Sequence, residues 1–353
     1  MKEQIHGGDV YRHPDVLDFS ANMNPLGTPE SVIRAAQNAV RHICNYPDVR
    51  QQKLKTALAD YEKVPYESLI CGNGAAELIF TLVQAVHPKR AAVLAPTFAE
   101  YEFALESIGC QVRHVSLLEK DDFELKSVQD ICDEVTAGAD LICLCNPNNP
   151  TGKLISREMI LDILNHCRKH HARVLLDECF NDFIDDPDTY TLKQDFREYP
   201  NLFILKAFTK RYAMAGLRLG YGICADADLL EHMEHCVQPW NISIPAQEAG
   251  AAALKEESYV HEARILIRTE RDWLKDEMKD LGLKVYDSKA NYIFFKGPED
   301  LGRKCLNNKV MIRDCSNYAG LSKGYYRIAI KRHEENKQLI NAMRRQRIWR
   351  KRS

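Results

Sequence analysis

A chain of 353 residues is long enough for a large core and two packed lobes. Its composition, 45% hydrophobic and 28% charged, is that of a soluble globular protein, and a formal net charge of -2 supplies no overall drive towards nucleic acid or a membrane surface. No apolar segment follows a basic start, and no uncharged run reaches the ~18 residues of a membrane span, which predicts a cytoplasmic protein without membrane or nucleic-acid partners.

The twelve cysteines are scattered without a CxxC pair, so reduced, mostly buried thiols and no metal site are expected. The one strong charge run, Arg344, Arg345, Arg347, Arg350, Lys351 and Arg352, reads as a solvated helix end or tail.

In chain order, His6-Gly7-Gly8-Asp9 precedes an alternating run over 16–20 and the loop Ala21-Asn22-Met23-Asn24-Pro25-Leu26-Gly27. That loop either lines a site or caps the helix that starts near Glu30. The helix runs to about Cys44, a turn follows at 45–48, and a second helix covers about 50–63. A short strand over 68–71 leads into Gly72-Asn73-Gly74-Ala75-Ala76-Glu77, which opens an apolar helix through Val86. Strand, glycine turn and helix N-terminus together offer free N–H groups to an anion.

Further strands are predicted over 91–95, 140–145, 173–176, 202–207 and 219–224, with helices over 97–107 and 157–171. Such alternation implies a mainly parallel sheet covered on both faces, with the site at the C-terminal strand tips. Gly72–Ala76, Asn149, Asp177 and Lys210 each come just after a strand and are expected on one rim. A long helix over about 247–281 leads to a smaller α+β unit, with strands near 285, 291–295, 310–313 and 325–330, a helix over 300–307 and another from Glu334. Arg313 and Arg327, 14 residues apart, lie in apolar strand runs, either as anion ligands or as outward-facing positions.

The chain is organised around residues 205–221, LKAFTKRYAMAGLRLGY, which set Lys210 and Arg218 among apolar neighbours. A buried lysine loses its proton readily and attacks aldehydes, and the arginine fork suits a phosphate. An aldehyde that carries a phosphate points to pyridoxal phosphate (PLP). Lys210 can supply the amine, and Asp177 can hold the ring nitrogen protonated. The amides of Ala75 and Ala76, with Thr209 and Arg218, can hold the phosphate. Phe98 can stack on the ring, and Asn149 can donate to its oxygen.

The succession GNGAAE, PTFAEY, NPNNPTG, LLDE, TK and GLRLGYG resembles the class I/II aminotransferase group of fold-type I PLP enzymes, from about His6 to Arg344. The resemblance implies an α/β fold, with a mainly parallel sheet between helices in a large domain and a smaller α+β C-terminal domain. It divides the chain into an N-terminal segment (1–40) that packs with the small domain and the site, a PLP-binding domain (41–245) and the small domain (246–353). It gives Lys210 the Schiff-base role, with Asp177, Asn149, Phe98 and Arg218 in the roles above. Tyr46 would reach the cofactor phosphate of a neighbouring subunit, which implies a homodimer with shared sites, and Arg327 would bind the substrate α-carboxylate.

Two reactions compete within the group: decarboxylation of O-phospho-L-threonine in cobalamin synthesis, and amino transfer from histidinol phosphate to 2-oxoglutarate. The openings HGGDV and LDFSANMNPLG, the block over 312–318 and Tyr325-Tyr326-Arg327 resemble the decarboxylating branch. There, residues matching His6, Asn22 and Arg313 hold the substrate phosphate. Phe180, where many aminotransferases have tyrosine, agrees with that branch, whereas Ala75-Ala76 replaces a bulkier polar pair. The implied products are 1-aminopropan-2-ol O-phosphate and carbon dioxide. A non-catalytic ligand-binding module is the remaining reading, and the chain carries no added helix-turn-helix.

Overall fold

The structure, a computed structural model, describes residues 6–345. The first part of the chain runs β1 (Leu17–Asp18), α1 (Glu30–Ala39), α2 (Gln52–Glu62), β2 (Leu69–Gly72), α3 (Ala75–Val86), β3 (Arg90–Ala95), α4 (Glu100–Ser107), β4 (Gln111–Ser116) and α5 (Gln129–Thr136). It continues with β5 (Leu141–Cys145), α6 (Arg157–Lys169), β6 (Arg173–Asp177), α7 (Pro187–Tyr190), β7 (Leu202–Ala207), α8 (Phe208–Arg211), β8 (Gly220–Cys224) and α9 (Ala227–Cys236). Then follow α10 (Ile244–Ala253), α11 (Glu257–Asp280), β9 (Lys284–Val285), β10 (Tyr292–Lys296), α12 (Leu301–Asn307), β11 (Val310–Met311), β12 (Arg313–Asp314), β13 (Tyr325–Ala329) and α13 (His333–Arg344).

Seven strands form the large sheet, in the order β2-β8-β7-β6-β5-β3-β4, with β8 antiparallel to both neighbours and the other pairings parallel. Successive side chains of a strand point to opposite faces. Accordingly Leu141, Cys143 and Cys145 enter one core while Ile142 and Leu144 enter the other. Both faces are therefore covered, which is why these strands read as unbroken apolar runs rather than as alternation.

A second sheet, β12-β13-β10-β9, is antiparallel, and β11 pairs instead with β1 in parallel. The N-terminal segment is thereby stitched to the far end of the chain, and the Ala329 N–H also donates to the Phe19 carbonyl at 2.8 Å. Glu119, just beyond β4, joins the two sheets. Its carboxylate accepts from Lys284 (2.8 Å), Tyr286 (2.6 Å), Tyr325 (2.7 Å) and Lys296 (3.3 Å). The bonds from Lys284, Tyr286 and Tyr325 hold this carboxyl well below the ordinary carboxylate range.

Several boundaries differ from expectation. The long helix over 247–281 is two helices, broken between Ala253 and Glu257. Glu256 leaves the helical region (φ −92°, ψ 61°), and the Ser31 hydroxyl of α1 donates to its carboxylate. α10 is pressed close to its neighbours, since a Cβ on Gly250 would lie 2.4 Å from Leu219. The run over 310–313 splits at Ile312, its halves pairing with different strands. The helix expected from Thr97 begins at Glu100, which leaves Phe98 ahead of it.

Among the described residues no disulfide forms, and all the cysteines but Cys44 and Cys236 are buried. No described helix is long and apolar enough to cross a membrane. Of the basic run, Arg347, Arg350, Lys351 and Arg352 lie outside the described residues, while Arg344 pairs with Glu277.

Candidate active site

The C-terminal tips of β5, β6 and β7, the turn before α3 and the start of the chain enclose a cavity of about 520 Å³. Ala75, Ala76, Phe98, Asn149, Asp177, Thr209, Lys210 and Arg218 all line it, and so do His6, Asn22, Arg313 and Arg327. Of the residues singled out from sequence, Tyr46 lies elsewhere. It is 77% exposed and stacks on Trp240 with ring centroids 4.5 Å apart.

Asp177 ends β6, in register with Cys145 of β5 and Leu205 of β7. Its Oδ2 accepts from the Tyr101 hydroxyl at 2.6 Å and its Oδ1 from the Cys179 N–H at 2.9 Å. Burial raises its carboxyl, and these bonds, with the charge of Lys210, act against the rise without cancelling it. A buried carboxylate without a contacting cation is costly. The position suits a ligand that brings its own positive charge.

Lys210 lies in the single turn of α8, its ammonium 6.0 Å from the Phe180 ring centre. Burial first, then the charge of Arg327, lowers its amine to about 8. A sizeable neutral fraction at physiological pH is what a nucleophilic lysine requires. Behind it lies a network of buried charge. Lys206 pairs with Glu178 at 3.3 Å, Arg211 with Asp182 at 3.4 Å, and Lys193 with Glu62 at 2.8 Å. Tyr221 donates to Glu62.

The candidate anion cradle before α3 is a feature of close approach. Gly74 precedes α3 at φ +84°, and a Cβ there would come within 2.6 Å of the Arg218 guanidinium. A Cβ on Gly220 would lie 2.6 Å from the Ala75 nitrogen. The first N–H groups of α3 have no intrahelical acceptor, and with Arg218 they form an anion cup.

At the other end of the cavity Arg327 donates to Asn149 Oδ1 and, at 2.8 Å, to the Ser20 carbonyl. Its Nε is buried without a partner among the described residues. The bond to Asn149 fixes that amide, so its Nδ2 is the edge left to donate. Arg313 donates to Asn317 Oδ1 at 2.9 Å. Asn22 is 1% exposed with an unpartnered Oδ1, and His6 Nε2 lies 3.3 Å from Glu100 Oε1.

Tyr101, Ser20, Cys179 and Glu100 were not assigned roles from sequence. Tyr101 and Glu100 stand in the PTFAEY block, and that neighbourhood was the only signal available for either.

The donor set fits PLP: a low-pKa amine, a buried carboxylate for a ring nitrogen, an amide for a ring oxygen and an anion cup. Comparison with known proteins agrees. Threonine-phosphate decarboxylase of Salmonella typhimurium is 36% identical over 351 residues, 96% of this chain and 95% of its own length. The histidinol-phosphate aminotransferase of Clostridium acetobutylicum superposes with a TM-score of 0.87 at 29% identity, over 93% of this chain and 98% of its own. The L-threonine-O-3-phosphate decarboxylase of Porphyromonas gingivalis superposes with a TM-score of 0.81 at 25% identity, over 93% and 98%. The profile of aminotransferase class I and II matches residues 14–343, and the chain belongs to that family of PLP enzymes.

Proposed function

We propose that the protein is a PLP-dependent decarboxylase of O-phospho-L-threonine, releasing carbon dioxide and 1-aminopropan-2-ol O-phosphate for cobalamin synthesis. The observation that carries this reading is the pair of buried arginines, Arg313 and Arg327, sharing one cavity with Lys210, His6 and Asn22. A substrate with both a carboxylate and a phosphate gives each arginine an anion. The 36% identity to a decarboxylase of this type supports the same choice.

Lys210 is the reactive amine, Asp177 the ring-nitrogen partner, Asn149 the ring-oxygen donor and Phe98 the stacking group. Ala75, Ala76, Thr209 and Arg218 hold the cofactor phosphate. When bound, the cofactor supplies an electron sink for the bond broken at Cα. Arg327 grips the α-carboxylate, while His6, Asn22 and Arg313 hold the distal phosphate. Two fixed anchors on one small molecule leave it little freedom, and orientation decides which bond at Cα breaks. The Cα–carboxylate bond breaks, carbon dioxide leaves, and Lys210 delivers the replacing proton to Cα.

The same reading has the chain act as a cytoplasmic homodimer, divided into an N-terminal segment (1–40), a large domain (41–245) and a small domain (246–353). Tyr46 then serves the partner's cofactor phosphate, which accounts for an exposed aromatic pair, Tyr46 on Trp240, away from its own cavity.

The test mixes holoenzyme with O-phospho-L-threonine and no keto acid. Carbon dioxide release is expected. No release, with amino transfer from histidinol phosphate to 2-oxoglutarate, overturns the proposal in favour of an aminotransferase.

A further inference from the structure

Glu100 is a carboxylate at the end of the cavity that also carries His6, Asn22 and Arg313. It opens α4, lines the cavity beside Arg313 and His6, and its side chain is 15% exposed. Its Oε1 lies 3.3 Å from His6 Nε2, while its Oε2 is buried with no hydrogen-bond partner among the described residues. The charged groups that act on it are His6 from the N-terminal segment, Arg313 from β12 and Lys210 from α8. Burial raises its carboxyl, and these three, with its own backbone N–H, oppose the rise without cancelling it.

The backbone just after His6 is closely packed, while the His6 side chain itself is half exposed. A Cβ on Gly7 would lie 2.3 Å from the Ser20 carbonyl, and the Gly8 N–H donates to the Ser20 hydroxyl at 2.7 Å. A single imidazole Nε2 therefore has two claimants, Glu100 and an incoming phosphate. An ionised carboxylate only accepts hydrogen bonds, and so does a dianionic phosphomonoester. Two such groups sharing a site cannot both stay fully ionised.

We propose that Glu100 is the proton-carrying partner of the substrate phosphate. Phosphate entry draws His6 Nε2 away from Glu100, the Glu100 carboxyl takes one proton from solvent, and its O–H then donates to a phosphate oxygen. The inference rests on the reading of this cavity end as a phosphate subsite. It adds a specificity device, because the bound phosphate is read by a donor whose proton must arrive with it. The balance is one phosphomonoester dianion and one proton bound, with no bond to carbon or phosphorus changed.

The test is calorimetric titration of holoenzyme with isopropyl phosphate at pH 8.5, in buffers of different ionisation heat. This ligand has neither amine nor carboxylate and cannot react. At that pH a phosphomonoester is dianionic, its second pKa being about 6. Wild type is expected to take up one proton per ligand bound, and Glu100→Gln, which keeps a donor but cannot titrate, none. Binding without proton uptake, or no binding, overturns the inference. Uptake retained in Glu100→Gln places the proton on another group and overturns it equally. If Glu100→Gln does not fold, His6→Gln replaces it: one proton still taken up per ligand bound keeps the proton on Glu100, and loss of uptake overturns the inference. A second readout is the KM for O-phospho-L-threonine. The ratio of wild type to Glu100→Gln is expected to rise up to tenfold per pH unit on the alkaline side, and a constant ratio overturns the inference. Taking the ratio cancels titrations common to both enzymes, such as the substrate amine. Decarboxylation without proton uptake sinks this inference and spares the reaction, whereas absence of decarboxylation sinks the reaction itself.

Discussion

Arg313 of β12 and Arg327 of β13 are Cα partners, directly opposite one another across an antiparallel pair, and each is 6% exposed. Like charges in that relation destabilise a sheet, and burial adds to the penalty. Arg327 bonds to an amide and a carbonyl, and Arg313 to an amide. Among the described residues neither has a carboxylate within ion-pair distance. The pair is therefore a standing demand for an anion.

Inorganic phosphate is accordingly expected to stabilise the wild-type holoenzyme, whose cup at Arg218 the cofactor would fill, by about 2.7 kcal/mol when present at 100 times its Kd. Arg313→Leu should keep the unliganded stability or raise it, and should lose most of the phosphate-induced shift in Tm. An equal shift in both proteins would show that phosphate binds elsewhere.

Tyr101→Phe removes the hydroxyl that donates to Asp177 Oδ2. A buried acceptor left without its donor costs about 1–3 kcal/mol. The expected result is weaker PLP retention and a kcat reduced about tenfold, with the substrate KM little changed. Cofactor titration followed by absorbance, with steady-state kinetics beside it, checks this.

Lys210 carries a pH signature in the cofactor-free protein. Its amine stands at about 8 in the fold, against an ordinary value of 10.5. Between those values the unfolded chain binds more protons, so stability rises with pH, and below 8 the full penalty applies. Lys210→Met should therefore stabilise the apo protein at pH 7 by about 2 kcal/mol, after allowance for solvent in the open cavity. The gain should vanish as pH approaches 10.5. Denaturant midpoints across that range provide the measurement, and a pH-independent gain would contradict the assignment.

Glu62 behaves in the opposite sense. Burial alone would raise its carboxyl, but Lys206, Lys193 and Arg211 overcome it and bring it to about 2. Its contribution is complete above pH 4.5 and is lost as pH falls through 2. Glu62→Gln leaves buried cations without their anion and should cost about 3–5 kcal/mol at pH 7. The difference from wild type should shrink steadily below pH 4.5.

How much of this was legible beforehand depended on what holds each part. β5, β6 and β7 are buried on both faces, where truncating one Leu or Ile to Ala costs about 2–5 kcal/mol. Such strands must be continuous apolar runs, and the convergence of the candidate residues at their tips on one cavity was readable with them. β4 forms an edge of the sheet, and its residues Gln111, Arg113 and His114 interrupt the apolar pattern, so no strand was expected there. The break before Glu257 has no proline or glycine to announce it, because packing of α1 against α10 sets it. Tyr101 on Asp177, and the Glu62 network behind Lys210, join residues 76 and more than 130 positions apart. Neither contact leaves a local trace.

The pairing of β1 with β11, and of Phe19 with Ala329, sets an order on biosynthesis. The end of the cavity proposed for the cofactor draws on residues 75–218, whereas the end proposed for the substrate phosphate draws on His6 and Asn22 together with Arg313 and Arg327. A growing chain can present the first before Arg313 has been synthesised. Pairing with the N-terminal segment must wait until β11, β12 and β13 have been made.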